Sequence, residues 1–240
     1  MARKQREAIL SSARGVNTAM SDRRAIILEA ATRRFAEHGF AATTVRQIAD
    51  DVDILSGSLY HHFVTKDEML HEIVRDAVQQ MRKNALRVAQ ASVDAEHRLV
   101  ALILLDLGEL TRNHKVHAIL ANERRLFRQN AEFAYVVKAK KDTYQAWQRV
   151  VREGIDARLF RSDIDVFLPI LTLLRMFNSA ADWFRNDDAH GVGDGSGSSY
   201  TLDQVIDFHL GFVLNAIRTP ARTSEPIPRR ACEELGRFRD

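Results

Sequence analysis

The run Thr43-Thr-Val-Arg-Gln-Ile-Ala49 and, shortly after it, Gly57-Ser-Leu-Tyr-His-His-Phe63 carry apolar residues at helical spacing in pieces too short to be stable alone. Thr43 or Thr44 can cap a helix over 44–52 whose Val45, Ile48, Ala49 and Val52 share one face. After Asp53-Ile54-Leu55, a second piece from Ser56 to Phe63 places Leu59 and Phe63 four apart and inward. Ser56, Ser58, Tyr60 and His61 are left outward. The connecting turn needs a residue that accepts positive φ, and Asp53 is one of the few non-glycine types that does. Upstream, Ile26, Ile27, Ala30, Ala31 and Phe35 recur three to four apart between Asp22 and Glu37, ahead of the helix-stopping Gly39. Two short helices joined by three residues and braced by a longer one have the spacing of a helix-turn-helix.

The outward residues suit a nucleic-acid duplex. Ser56, Ser58 and Tyr60 offer hydroxyls, His61 a ring for a phosphate or base edge, and Gly57 lets the backbone approach closely. Arg46, Lys66 and helix N-terminal amides add positive potential. The whole chain, with 35 Lys plus Arg against 32 Asp plus Glu, is only +3, too weak to name a polyanionic partner by itself. Residues 1–49 hold nine basic and four acidic side chains, so +5 falls there and −2 on the remainder. That split places the excess at the helix-turn-helix end, with residues 1–20 expected as a basic flexible arm reaching an adjacent groove.

Beyond this head the 240 residues, 45% hydrophobic with 11 glycines and 4 prolines, favour an all-α chain long enough for a second, larger domain. A fourth helix is expected from about Lys66 to Ala91. Five more follow over Glu96 to Asn113, Lys115 to Phe127, Ala131 to Ala157, Val166 to Phe184 and Thr201 to Arg218, about nine in all. The domains read as 21–66 for the helix-turn-helix, 67–218 for the helical body and 219–240 for an irregular, mobile tail. Between the last two helices, Gly191 to Ser199 has the composition of a solvated linker. Cys232 is the single cysteine, which excludes an intrachain disulfide and fits a reducing, cytoplasmic setting. The apolar runs Leu99–Leu105 and Val166–Leu174 are far short of the roughly 20 residues a membrane span needs, so no membrane partner is expected. No nucleophile elbow, phosphate loop or paired-histidine zinc motif is present, which argues against an enzyme. His114 and His117 lie three apart, but without acidic or thiol partners they read as solvated surface and not as a metal site.

Taken together, Thr43–Ala49, Gly57–Phe63 and Lys66-Asp-Glu-Met-Leu70 resemble the DNA-binding signature of TetR-family transcriptional repressors, over residues 22–75. The resemblance implies a three-helix DNA-binding domain joined through the fourth helix to a larger helical domain that binds an inducer and dimerises. It assigns DNA contacts to Thr44, Arg46, Ser56, Gly57, Ser58, Tyr60, His61 and Lys66, with Tyr60 and Lys66 on phosphates. Two positions depart from the family pattern. Asp53 stands where glycine is usual, and Leu55 where a small polar residue caps the recognition helix.

A dimer is needed because one recognition helix reads few base pairs, whereas two related by a two-fold axis read a palindromic operator. The family places that interface on its last two helices, making Phe208, Leu210, Phe212 and Val213 the candidates. Inducer binding requires a cavity among the apolar helices, where Arg175, Trp147, Trp183, Asn178 and Glu123 are the polar or aromatic residues positioned to read a ligand. The larger domain, through Asn122-Glu-Arg-Arg-Leu-Phe127 and the long basic N-terminal extension, also resembles actinobacterial TetR-type repressors of steroid and fatty-acid catabolism. Their inducers are coenzyme A thioesters, which would suit an apolar cavity opening toward arginines. A hydrophobic drug-like or signalling ligand is the alternative, and a helical protein-interaction module without DNA binding is the alternative of another class. No cofactor is expected.

Overall fold

The computed structural model describes residues 22–183 and 200–229 together with Cys232 and Leu235, the side chains of 110–111 and 178–183 excepted. The expected basic arm and the glycine-rich linker lie outside the described residues. Ten α-helices occur among those described. The only pairing of extended backbone there is an isolated bridge between Phe160 and Arg218. The chain divides into two compact units between Val74 and Arg75, inside a helix and not at its start.

In the first unit, α1 covers 22–38 and ends where Gly39 takes φ 82° and its amide returns to the Phe35 carbonyl at 3.1 Å. α2 is Val45–Asp51, opened by a reciprocal cap in which Thr44 and Gln47 satisfy each other's backbone amides. Asp53 turns the chain at φ 53°, as its side chain permits. α3 is Ser56–Leu59, prolonged as a turn because the His62 and Phe63 amides both bond to the Leu59 carbonyl. Leu55 provides no side-chain cap for α3. α4, Lys66–Ala89, starts on a second reciprocal cap, with the Glu68 amide donating to Thr65 Oγ1 and the Val64 amide to the Glu68 carboxylate. Ile27, Ala31, Phe35, Ile48, Ala49, Leu59, Met69 and Leu70 are sealed from solvent between these helices. Of these, Ile27, Ala31, Phe35, Ile48, Ala49 and Leu59 belong to the stripes expected in the sequence, whereas Ile26, expected in the first of those stripes, is 45% exposed.

The second unit is built around α5, Ala95–Arg112, whose Leu99–Ile103 stretch is buried on every side. Such all-round burial needs neighbours in every direction, and α6 (His114–Asn122), α8 (Ala134–Asp156), α9 (Phe167–Trp183) and α10 (Leu202–Ile217) supply them. The helix expected over 115–127 is instead two, because the chain breaks at Glu123 before α7, Arg124–Gln129. A 3-10 turn at Ala131–Phe133 precedes α8.

The tail is a correction to the expectation. Residues 218–229 are anchored. Arg218 is buried and pairs with Glu96 at 2.6 Å, while its other N–H groups donate to the carbonyls of Glu225 at 2.6 Å and Pro226 at 3.2 Å. Arg229 grips Asp207 at 2.5 Å and also Asp203 on α10. Cys232 lies in the core, where burial pushes its thiol up to about 12. A buried arginine forces this arrangement, since its donors must all find acceptors once water is excluded.

Gly154, inside α8, sits directly against the Phe160 ring, and a Cβ there would overlap the ring atoms. Gly154→Ala is expected to lower stability by roughly 1–3 kcal/mol despite the better helix propensity of alanine. A thermal melt showing no loss would mean that Phe160 can swing aside.

Candidate nucleic-acid interface and effector cavity

Most of the residues to which the resemblance assigns DNA contacts lie at the surface. Thr44, Gly57, Ser58 and His61 are exposed, Tyr60 is 54% exposed and Ser56 is partly so. The Arg46 side chain is 85% exposed, with Asp50 one turn away at 3.9 Å. No atom lies within 4 Å of where a Cβ on Gly57 would stand, so nothing in the chain itself requires glycine there. Leu55, 80% exposed, adds an apolar side chain to this surface that sequence reasoning treated only as a failed cap.

Lys66 is placed differently from the phosphate contact assigned to it. Its ammonium donates to the carbonyls of Phe40 at 2.6 Å and Thr43 at 2.7 Å and stands 4.2 Å from the Phe40 ring centre. It therefore holds the α1–α2 turn beside Thr44. The arginines of α1 are engaged in the same way. Arg24 lies over the Phe63 ring at 3.9 Å and pairs with Glu72 at 2.5 Å and Glu68 at 3.2 Å. Arg34 makes a two-pronged bond to Asp51 at 2.6 and 2.7 Å, holding that carboxyl below its usual range. Counted to the end of the first unit at Val74, ten basic residues meet ten acidic ones. The +5 excess of residues 1–49 is thus offset within the same unit by the acids of α2, the turn and α4.

In the second unit, α4 through α9 enclose a cavity of about 200 Å³. Met81, Leu120, Leu174 and Phe177 give it apolar walls, while His117, Arg124, Lys140 and Arg175 concentrate positive or basic groups on it. Lys140 donates to the Leu120 carbonyl at 2.7 Å. Burial, reinforced by Arg124 and Arg175, lowers its pKa to about 8. His117 is 6% exposed, and burial with a contribution from Lys140 takes its pKa down to about 4, so the ring is neutral at pH 7. Asp106 also lines the space and is pushed up to about 7 by burial and by Glu109. A cluster of cations crowded enough to depress one member is a site that an anion would relieve.

Two family models match this chain. The one described as bacterial regulatory proteins of the tetR family covers residues 27–73, and the tetracyclin repressor-like C-terminal domain covers 92–190. The HTH-type transcriptional repressor KstR2 of Rhodococcus jostii is 34% identical over 83% of this chain and 93% of its own length.

The chain belongs to the TetR family.

It is a TetR-type transcriptional repressor, and the KstR2 of Mycobacterium tuberculosis is a further relative at 31% identity over 82% of this chain and 94% of that one. The solved structure titled as the ketosteroid transcriptional regulator KstR2 of M. tuberculosis superposes with a TM-score of 0.73, covering 82% of this chain and 95% of that one.

Within this TetR-family body the remaining expected residues fall in different places. Arg175 lines the cavity. Trp147 does not; it is wholly buried behind the wall, 6.3 Å from the Phe177 ring, with its indole N–H unpartnered. Glu123 marks the α6–α7 break and is not among the lining residues. The side chains of Asn178 and Trp183 lie outside those described. On α10, Phe208 and Phe212 are 65% and 54% exposed and stack at 6.2 Å. Leu210 and Val213 point the other way into the chain's own core, so they cannot meet a partner. Exposed Phe167 and Leu168 on α9 add to the apolar surface. His117, read from sequence as solvated, is corrected to a buried cavity residue. The signal that could have found it is the i, i+3, i+4 face His117, Leu120, Ala121 of α6, all of which line the space, with Arg124 at the start of α7 beside them. Among the described residues, no group of three or more His, Cys, Asp or Glu could hold a metal ion, and no helix is long and apolar enough to cross a membrane.

Proposed function

We propose that this repressor binds a palindromic operator as a homodimer and is released by an anionic effector with an apolar body, a coenzyme A thioester of a steroid-ring or fatty-acid catabolite. The observation that carries the effector class is the placement of Lys140, Arg124 and Arg175, three cations against the single carboxyl of Asp106, around a cavity with walls of Met81, Leu120, Leu174 and Phe177. Those cations suit phosphate or carboxylate oxygens, and the walls suit a ring or acyl chain. The names of the KstR2 relatives favour a steroid-derived ligand. The protein works by binding, without catalysis, in the cytoplasm at the nucleoid.

On DNA, α3 enters the major groove with Ser56, Gly57 and Ser58 toward base edges and Tyr60, His61, Arg46 and Thr44 toward bases or phosphates. Lys66 keeps its inherited place in the motif but acts by holding Thr43 and Thr44 in position. The dimer forms across α9 and α10 through Phe208, Phe212 and the neighbouring apolar surface. Effector binding shifts the population of dimers away from the arrangement whose recognition helices match half-sites roughly 34–36 Å apart, and operator binding weakens effector binding by the same factor.

Four measurements test this reading. Tyr60→Ala and Arg46→Ala should each weaken operator binding in gel shift, with Arg46→Ala lowering the salt slope by about 1; unchanged affinity and slope in both variants would refute the docking. Phe208→Asp should sediment as a monomer, and a persistent dimer would move the interface elsewhere. Coenzyme A thioesters of ring and acyl acids should raise the melting temperature, whereas stabilisation only by a neutral hydrophobic drug would sink the anionic class. Since Lys140 loses its proton as pH rises through about 8 and Asp106 becomes charged as pH rises through about 7, thioester affinity should fall on going from pH 7 to 9, and Lys140→Gln should reduce that fall while leaving the part due to Asp106.

A further inference from the structure

Two positions at the head of α3 are not explained by the fold itself. Leu55 occupies the capping position, where its carbonyl accepts the Ser58 and Leu59 amides at 2.9 and 3.3 Å, yet its side chain provides no cap and is 80% exposed. Serine, threonine, asparagine or aspartate there would stabilise so short a helix. Gly57 weakens the same helix, although a Cβ at that position would meet nothing within 4 Å. Both choices suit an outside surface that comes close. A missing Cβ admits that surface to the backbone, and a bare isobutyl group offers it apolar contact without a hydrogen bond. The N-terminal residues of a recognition helix are those that reach base edges, and the apolar feature of the major-groove floor is the C5 methyl of thymine. Ser56 and Ser58, on either side of Gly57, carry hydroxyls that both donate and accept, so they discriminate weakly between bases.

We propose that Leu55 reads one thymine in each half-site by resting its side chain on the C5 methyl group in the major groove, and so selects T·A at that base pair. The inference rests on the operator docking above and deepens it, because it names the base feature that one residue recognises. Cytosine lacks the methyl, and adenine and guanine put polar edges in its place. An exposed leucine set against any of them loses apolar contact without a compensating hydrogen bond.

In the test, the full chain first selects duplexes from a random pool, and the sequence it enriches is the probe. Each thymine of that duplex is then replaced in turn, symmetrically in both half-sites, by deoxyuridine, which removes the methyl and leaves every hydrogen-bonding group in place. At one position the wild type should bind the uracil duplex more weakly, by roughly fourfold per half-site. Leu55→Ala should bind the thymine and uracil duplexes alike, with the salt slope of its affinity unchanged because no phosphate contact is lost, and Leu55→Met should retain part of the difference. The ratio of the two affinities is taken on one protein at a time, so a variant with a smaller folded fraction leaves it unaltered. A wild type indifferent to every uracil substitution, or a loss of the same size in Leu55→Ala, overturns the role of Leu55 and leaves the docking of α3 standing, since a duplex was selected. Enrichment of no duplex overturns both.

Discussion

A charge pair sealed from water organises the larger unit. Arg218 and Glu96 are almost fully buried, and an ion pair in that position is tolerated only when every remaining donor and lone pair is satisfied. The satisfaction comes from pieces distant in sequence. Glu96 belongs to the first turn of α5, Arg218 ends α10, and the carbonyls of Glu225 and Pro226 belong to the returning tail. Arg222 adds a second cation beside Glu96 at 3.6 Å. Next to the pair, the Arg161 amide bonds to Ile217 and the Thr219 amide to Leu159, so the α8–α9 connection is fastened to the same point. Losing one partner would strand a buried charge at a cost of about 3–5 kcal/mol, comparable with the whole stability of a small domain.

The smaller unit uses charge for the same purpose at its surface. Lys66, Arg24 and Arg34 sit where a basic duplex-binding face might be assumed, yet each is directed at a carbonyl or carboxylate of its own chain. What remains outward is a hydroxyl-rich and histidine-bearing strip with Arg46 as its exposed cation.

The head was legible because its helices are short and each apolar residue has one possible inward direction. Gly39, Asp53, Leu59 and Phe63 all take the roles that steric reasoning gives them. The body was less so. Approximate bounds followed from periodicity, but the break at Glu123 did not, since no proline or glycine marks it, and the count therefore fell one short of the ten among the described residues. α10 illustrates the deeper limit: Phe208, Leu210, Phe212 and Val213 look equivalent as letters, and only the packing of α5 and α9 against one side separates surface from core. Lys140 drew no reading and His117 was read as solvated surface because a polar residue near a basic run reads as solvated until the neighbouring helices close over it. The tail misled for the opposite reason. Its prolines signal irregular backbone correctly, but irregular backbone held by buried arginines is fixed in place.

Trp147 carries an optical consequence. Its indole is fully buried, has no hydrogen-bond partner among the described residues and stands 6.3 Å from the ring of Phe177, which is part of the wall. A fluorophore in so apolar a setting emits toward the blue, and a molecule that repacks Phe177 changes its surroundings without contacting it. The protein thus contains, one aromatic ring behind its cavity, a built-in spectroscopic witness to whether that cavity is filled.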